Sequence, residues 1–288
     1  MKPEHKILAC VDQSDYAGHV ADYAAWVAQR MALPLEFLHV LDRHPERARH
    51  SHDHSGAIGF DAQQALLDEL ARDDEDFSRR AREQGRVFLN QLRERAMVAG
   101  VAAPDVRQRH GALVDTLIEQ EDGVQLFVLG RRGQSAATTQ RDLGRNVEHV
   151  VRALHRPILT VTAGFKLPER VMVAFDGGSV ARKGIELISG CPLFTGLPIH
   201  VITSGEPGRG LRKQLAWAQE QLEAAGFETH TELLSGDPET VIATQVQARA
   251  IDLLVMGSYT HSPLRSWLLG STTNGLLRAA TLPTLLLR

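Results

Sequence analysis

Lys6-Ile7-Leu8-Ala9-Cys10-Val11-Asp12 and, in the second half of the chain, Arg170-Val171-Met172-Val173-Ala174-Phe175-Asp176 decide the fold. Each is an unbroken apolar run closed by a carboxylate. Such a run suits a parallel strand covered by helices on both faces, where no polar alternation is needed. Polar residues follow the first run, and then 21–28 has helical composition up to Leu33-Pro34. A second strand follows over Leu35-Glu36-Phe37-Leu38-His39-Val40-Leu41.

The same order returns later. Helical residues at about 181–189 lead to a strand over 197–203, a helix over about 209–225 and a third strand over 228–234. In the first half, 105–111 holds the place of that third strand. Leu126-Phe127-Val128-Leu129-Gly130 matches Leu253-Leu254-Val255-Met256-Gly257, and Pro157-Ile158-Leu159-Thr160-Val161-Thr162 matches Pro283-Thr284-Leu285-Leu286-Leu287. This is a repeat of a whole domain. Each half reads as five strands alternating with helices, which predicts an α/β fold with a five-stranded, mostly parallel sheet and flanking helices in each half. Gly164 and Pro168 punctuate the join, so the domains are expected at 1–164 and 165–288. The first half carries an extra His-rich stretch at about 43–60 and a long charged amphipathic helix over about 61–98.

Composition narrows the function. The chain has 288 residues, a formal net charge of −3 and two cysteines. A nucleic-acid binder would carry a basic domain or stripe, so no nucleic-acid partner is expected. The cysteines form no paired framework, which fits a reducing compartment. The N-terminal residues run straight into an apolar stretch too short to span a bilayer, so a cytoplasmic protein without a membrane partner is expected.

In open parallel sheets, ligands sit beyond the carboxyl ends of the strands. There the second half has Gly257-Ser258-Tyr259-Thr260 and then Gly270-Ser271-Thr272 before a further helix. The first half has Gly130-Arg131-Arg132-Gly133 and then Gly144-Arg145. Small residues at a helix start let backbone N–H groups approach an anion, Ser271 and Thr272 add hydroxyls, and the arginines could meet phosphate oxygens.

With this glycine pattern, the chain resembles the universal stress proteins over essentially its whole length. That family's pattern is Gly, two residues, Gly, nine residues, Gly, then Ser or Thr. The second half keeps the spacing from Gly257 to Gly270-Ser271, with Thr260 replacing the second glycine. The first half keeps Gly130 and Gly133, inserts one residue before Gly144, and has Arg145 in place of the hydroxyl. The resemblance implies two tandem flavodoxin-like or Rossmann-like domains and the binding of an adenine nucleotide: ATP, or else ADP or AMP, with Mg²⁺ as a companion. It assigns binding roles to Asp176, Ile202, Gly257, Gly270, Ser271 and Thr272 in the second half, and to Asp12, Val40, Gly130, Gly133 and Gly144 in the first. The resemblance also implies that the Pro-led last strands, Pro157 to Thr162 and Pro283 to Leu287, pair within the chain and close both sheet edges, giving an internal pseudo-dimer that leaves a homodimer permitted. A stress-response regulator or sensor with an unidentified protein partner is the expected function. The alternatives are a chaperone-like interaction module with structural glycines, and a slow ATPase. No nucleophile elbow or Walker lysine loop appears, so an enzyme is not the primary expectation.

Simpler roles compete for several of these residues. The glycines can serve only to turn the chain, and Asp12, Asp176, Ser271 and Thr272 can serve only as caps. His50, His52 and His54 are zinc candidates if their loop has a fixed geometry, and solvated histidines otherwise. His39 and His200 are read as packing residues at matching places in the two second strands.

Overall fold

The computed structural model describes residues 5–41, 60–131, 145–206, 208–257 and 282–288. The first half contains β1 (Lys6–Cys10), α1 (Ala17–Met31), β2 (Leu35–Leu41), α2 (Phe60–Val98), β3 (Asp105–His110), α3 (Leu113–Gln120), β4 (Val124–Gly130), α4 (Arg145–Ala153) and β5 (Ile158–Val161). The second contains β6 (Val171–Ala174), α5 (Ser179–Gly190), β7 (Ile199–Ser204), α6 (Arg209–Ala224), β8 (Thr229–Leu234), α7 (Pro238–Ala248), β9 (Leu253–Gly257) and β10 (Thr284–Leu287).

All ten strands join one sheet in the order β3-β2-β1-β4-β5-β10-β9-β6-β7-β8. Read outward from the centre, each half repeats the same order, and pairing within each half is parallel. The apolar runs form strands because both faces are covered: Ile7, Leu8, Ala9, Val171 and Met172 are fully buried. One core lies under α1, α2, α5 and α6 and runs across both halves. The other lies under α3, α4 and α7.

The halves meet through β5 and β10, the one antiparallel pair among the described strands. Leu285 stands opposite Leu159, flanked by Thr284 opposite Thr160 and Leu286 opposite Ile158, so an approximate two-fold axis passes through the leucine pair. Thr160 Oγ1 also donates to the Thr284 carbonyl at 3.2 Å. The join itself is anchored. The Tyr23 hydroxyl bonds both the backbone N–H and the carbonyl of Lys166 at 3.2 Å. Phe165 meets the Tyr23 ring edge-on at 4.8 Å. Buried Asp252 accepts from the backbone N–H groups of Glu169 and Arg170 at 3.1 and 3.2 Å and pairs with Lys166 Nζ. After α5, a 3-10 turn at Pro192–Phe194 reaches back across the seam, where Arg30 Nε donates to the Leu193 carbonyl at 3.2 Å. Among the described residues, no helix is long and apolar enough to cross a membrane.

Leu159 is 1% exposed at the centre of this seam. Leu159→Ala should lower the unfolding free energy by about 2–5 kcal/mol, the usual range for a buried leucine truncation. Urea unfolding followed by circular dichroism measures it.

Candidate functional site

In each half, the first strand has its two neighbours on opposite sides and their connections leave in opposite directions, which opens a crevice at the carboxyl edge. Cys10 stands opposite Leu38 and Leu129, and Val11 N still bonds the Leu38 carbonyl at 3.0 Å. Asp12, Val40 and Arg131 each lie two residues beyond those partners and share the edge. In the second half Ala174 stands opposite Ile202 and Met256, which brings Asp176 and Ser204 to the same level.

Both aspartates close their strands with the same turn. Asp12 Oδ1 accepts from Ser14 N at 3.3 Å, and Asp176 Oδ1 accepts from Gly178 N at 2.8 Å. Such a turn holds a carboxylate at the mouth of the crevice. Asp176 is exposed there. Gly177, at φ +73°, adopts a backbone conformation that side chains resist. Gly178 precedes α5, and a Cβ on it would come within 3.0 Å of Asp176 Oδ1. The sequence reading missed this glycine pair, although Asp-Gly-Gly after an apolar run is a turn signal.

Gly130 and Gly257 end β4 and β9. A Cβ on Gly257 would lie 3.1 Å from Val180 Cγ1, so this glycine allows β9 to pack closely on the start of α5. The register separates the two hydrophobic candidates. Val40 sits at the edge, whereas Ile202 is 1% exposed and matches Leu38, and the counterpart of Val40 is Ser204. Gly133, Gly144, Gly270, Ser271 and Thr272 lie outside the described residues, as do His50, His52 and His54. Among the described residues, no three His, Cys, Asp or Glu side chains gather in a metal-binding arrangement.

A second pair of turns, also missed in the sequence, builds the far wall. Gly111 and Gly236 follow β3 and β8 at φ +143° and +138°. Gly111 N bonds the Leu41 carbonyl at 3.1 Å, and Ser204 Oγ donates to the Gly236 carbonyl at 2.6 Å. Asp237 then caps α7, accepting from Thr240 N at 3.1 Å and Thr240 Oγ1 at 3.2 Å. The signal was a glycine immediately before a helix start.

The expected match between His39 and His200 does not hold. Since Leu38 corresponds to Ile202, His39 corresponds to Thr203 and His200 to Glu36. Strands buried on both faces carry no alternation that would fix such a register. Both histidines are nonetheless buried. His39 Nδ1 lies 2.8 Å from the Val11 carbonyl, and its ring meets Phe88 edge-on. His200 stacks on His230 at 4.9 Å. Burial above all, then the nearby His230, Arg249 and Arg170, lowers the His200 pKa. Beneath Asp12, burial followed by the charge of Glu36 pushes the Cys10 thiol far up, so it is not a nucleophile at neutral pH.

The model of the universal stress protein family matches residues 4–162 and 198–288. A universal stress protein of Synechocystis is 32% identical over 284 residues, covering 98% of this chain and 99% of that protein. Among solved structures, a universal stress protein from Archaeoglobus fulgidus superposes with a TM-score of 0.72 at 21% identity, over 99% of this chain and 98% of that one. A protein of unknown function from Pseudomonas aeruginosa gives 0.61 at 18% identity, over 99% and 93%. The two structures share the fold.

His200 sets a pH dependence. Its folded pKa lies below the ordinary 6.5, so the unfolded chain binds the proton more readily. Its contribution is therefore complete above the ordinary value, declines as pH falls below it, and is lost once the folded pKa is passed. Urea unfolding at about pH 8 and about pH 5.5 should show a smaller acid-side loss of stability in His200→Gln than in the wild type.

Proposed function

The chain belongs to the universal stress protein family, and from that premise we propose that it binds an adenine nucleotide, ATP foremost, at the carboxyl-edge crevices of two domains spanning 1–164 and 165–288. We infer that binding serves a regulatory or sensing role in a stress response. The observation that carries this reading is the duplicated crevice. At the same level in both halves, an aspartate held by the N–H two residues on stands beside a glycine-ended strand.

Asp176 uses Oδ1 for its turn, and its exposed carboxylate is suited to accept ribose hydroxyls. Val40 and Ser204 line the neighbouring wall. The glycine-bearing segments through Gly133–Gly144 and Gly257–Gly270, with Ser271 and Thr272, are assigned the phosphates on the strength of the family pattern. The described residues supply no metal site of their own, so Mg²⁺ would enter on the phosphates of the nucleotide.

One observation favours a second reading, a protein-interaction module. Gly257 already has a packing reason in its approach to Val180, and both aspartates already serve their turns.

Calorimetric titration with Mg-ATP separates the two readings. Nucleotide binding predicts one or two sites per chain. Asp176→Ala should weaken the second by roughly tenfold, the loss of a charge-assisted hydrogen bond, and Asp176→Asn should preserve the turn and the fold. The absence of both heat and thermal shift with Mg-ATP, ADP and AMP would overturn the proposal in favour of the interaction module.

A further inference from the structure

His200 lies in a charged layer at the foot of the second half that the first half fills differently. There the first half has Lys6, Glu36 and Arg107, and Glu36 meets both cations at 2.7 and 3.2 Å. The second half has Arg170, His200 and Glu232 in the same places. Met172, the partner of His200 on β6, and Ile202 both belong to the core under α7. Alternate residues of a strand share a face, so His200 also faces α7, which packs on β7.

His200 is buried, and its Nδ1 is enclosed without a hydrogen-bond partner among the described residues. The charged and titratable groups around it come from every described element packed against it. From β6 comes Arg170, whose Nε is likewise enclosed and unpaired. From β8 and the residue before it come His230, Glu232 and Glu228. The rings of His200 and His230 stack at 4.9 Å with 22° between their planes, and His230 Nε2 lies 3.1 Å from Glu228 Oε1. From the end of α7 comes Arg249, whose Nε donates to Gln245 Oε1 at 2.8 Å and whose Nη2 pairs with Glu232. Asp252, just beyond, is committed to Lys166 and to the backbone N–H groups of Glu169 and Arg170.

A neutral imidazole suits this place. A proton on it is opposed by burial, His230, Arg249 and Arg170, and is favoured by Glu228 alone. The charged ring also donates from both nitrogens, and Nδ1 has no acceptor beside it, so a charged His200 must reach water. The strands on either side are tied to β7 by backbone ladders. The last turn of α7 is tied to the sheet by Arg249, and Ala250, the next residue, holds a left-handed φ of +49° that side chains resist. That turn is the cover that yields most readily. The other end of the same helix stands at the second crevice, where Ser204 Oγ donates to the Gly236 carbonyl at 2.6 Å and Asp237 caps α7.

We propose that His200, stacked on His230, is an acid-sensitive latch on α7: when it takes up a proton, the last turn of α7 and Arg249 lift from the sheet, and the crevice wall at Gly236–Asp237 loosens with them. The latch goes beyond the nucleotide reading and does not depend on it.

The test is hydrogen exchange read by mass spectrometry on the full chain without ligand, from about pH 8 to about pH 5, corrected for the intrinsic pH dependence of exchange. Over the same range, the protonation of His200 is followed by NMR. Peptides covering 236–251 should lose protection by roughly tenfold or more as His200 takes up its proton. Peptides covering α3, the counterpart of α7, should keep theirs, because the corresponding layer of the first half holds Lys6, Glu36 and Arg107 and no histidine. His200→Gln, neutral at every pH, should abolish the change in 236–251. Protection that stays constant while His200 titrates would overturn the proposal. So would an equal loss in His200→Gln, which assigns the effect to another group, or a loss shared by α3, which marks global unfolding. A His200 that stays neutral until the whole fold is lost would overturn it as well. If circular dichroism shows His200→Gln unfolded, the wild-type comparison of exchange with titration decides alone.

Discussion

An open sheet edge is a row of unpaired N–H and C=O groups, and a five-stranded half that ended on β5 would expose one. The chain answers this constraint with its own second half. β10 lies antiparallel on β5 about Leu159 and Leu285, and the backbone groups of each last strand find partners in the other. Much else follows from that seam. It makes one sheet of two halves, runs one apolar core beneath both, and directs the crevices of the two halves in opposite senses along the sheet. The anchors at the join are consistent with this: Tyr23 and Asp252 hold Lys166, Glu169 and Arg170 through backbone groups.

Fusion also relaxes a rule that binds a symmetric dimer. In a homodimer every substitution appears twice, and here each half changes alone. The charged layer near the foot of the sheet records this. Lys6, Glu36 and Arg107 in the first half become Arg170, His200 and Glu232 in the second. The negative group moves from the second strand to the third, and each arrangement finds an answer to its own burial. Glu36 holds Lys6 at 2.7 Å and Arg107 at 3.2 Å. His200 stacks on His230 with its pKa lowered by burial, and Glu232 pairs with Arg249.

The strands in chain order and the duplication could be read from the residues because each leaves a compositional mark: an apolar run, a closing aspartate, a proline before the final strand. The pairing of the last strands followed from the family resemblance. The long helix α2 was equally legible, since a stretch of 39 residues with mixed charge and spaced leucines admits little else. Register was not legible. A strand such as β7 is buried on both faces, so a one-residue slip leaves its apolar character unchanged, and the match of His39 to His200 rested on appearance alone. Only the ladder with β1 and β6 fixes which residue reaches the edge.

The parts of the crevice that escaped the sequence share a cause. Gly111, Gly177 and Gly236 matter through positive φ, and Ser204 matters through a bond to a carbonyl 32 positions away. Neither property is a matter of composition. The edge residues, by contrast, stand out once register is known. Arg109 lies in a third strand recognised only by its place in the repeat, and it becomes informative only when paired with Val40 and set against Leu234. A polar third strand in one half and an apolar residue at the same place in the other is then a difference between two sites on one scaffold. Because the backbone at the two edges is matched strand for strand, that difference isolates side-chain charge from fold, and the molecule carries its own control.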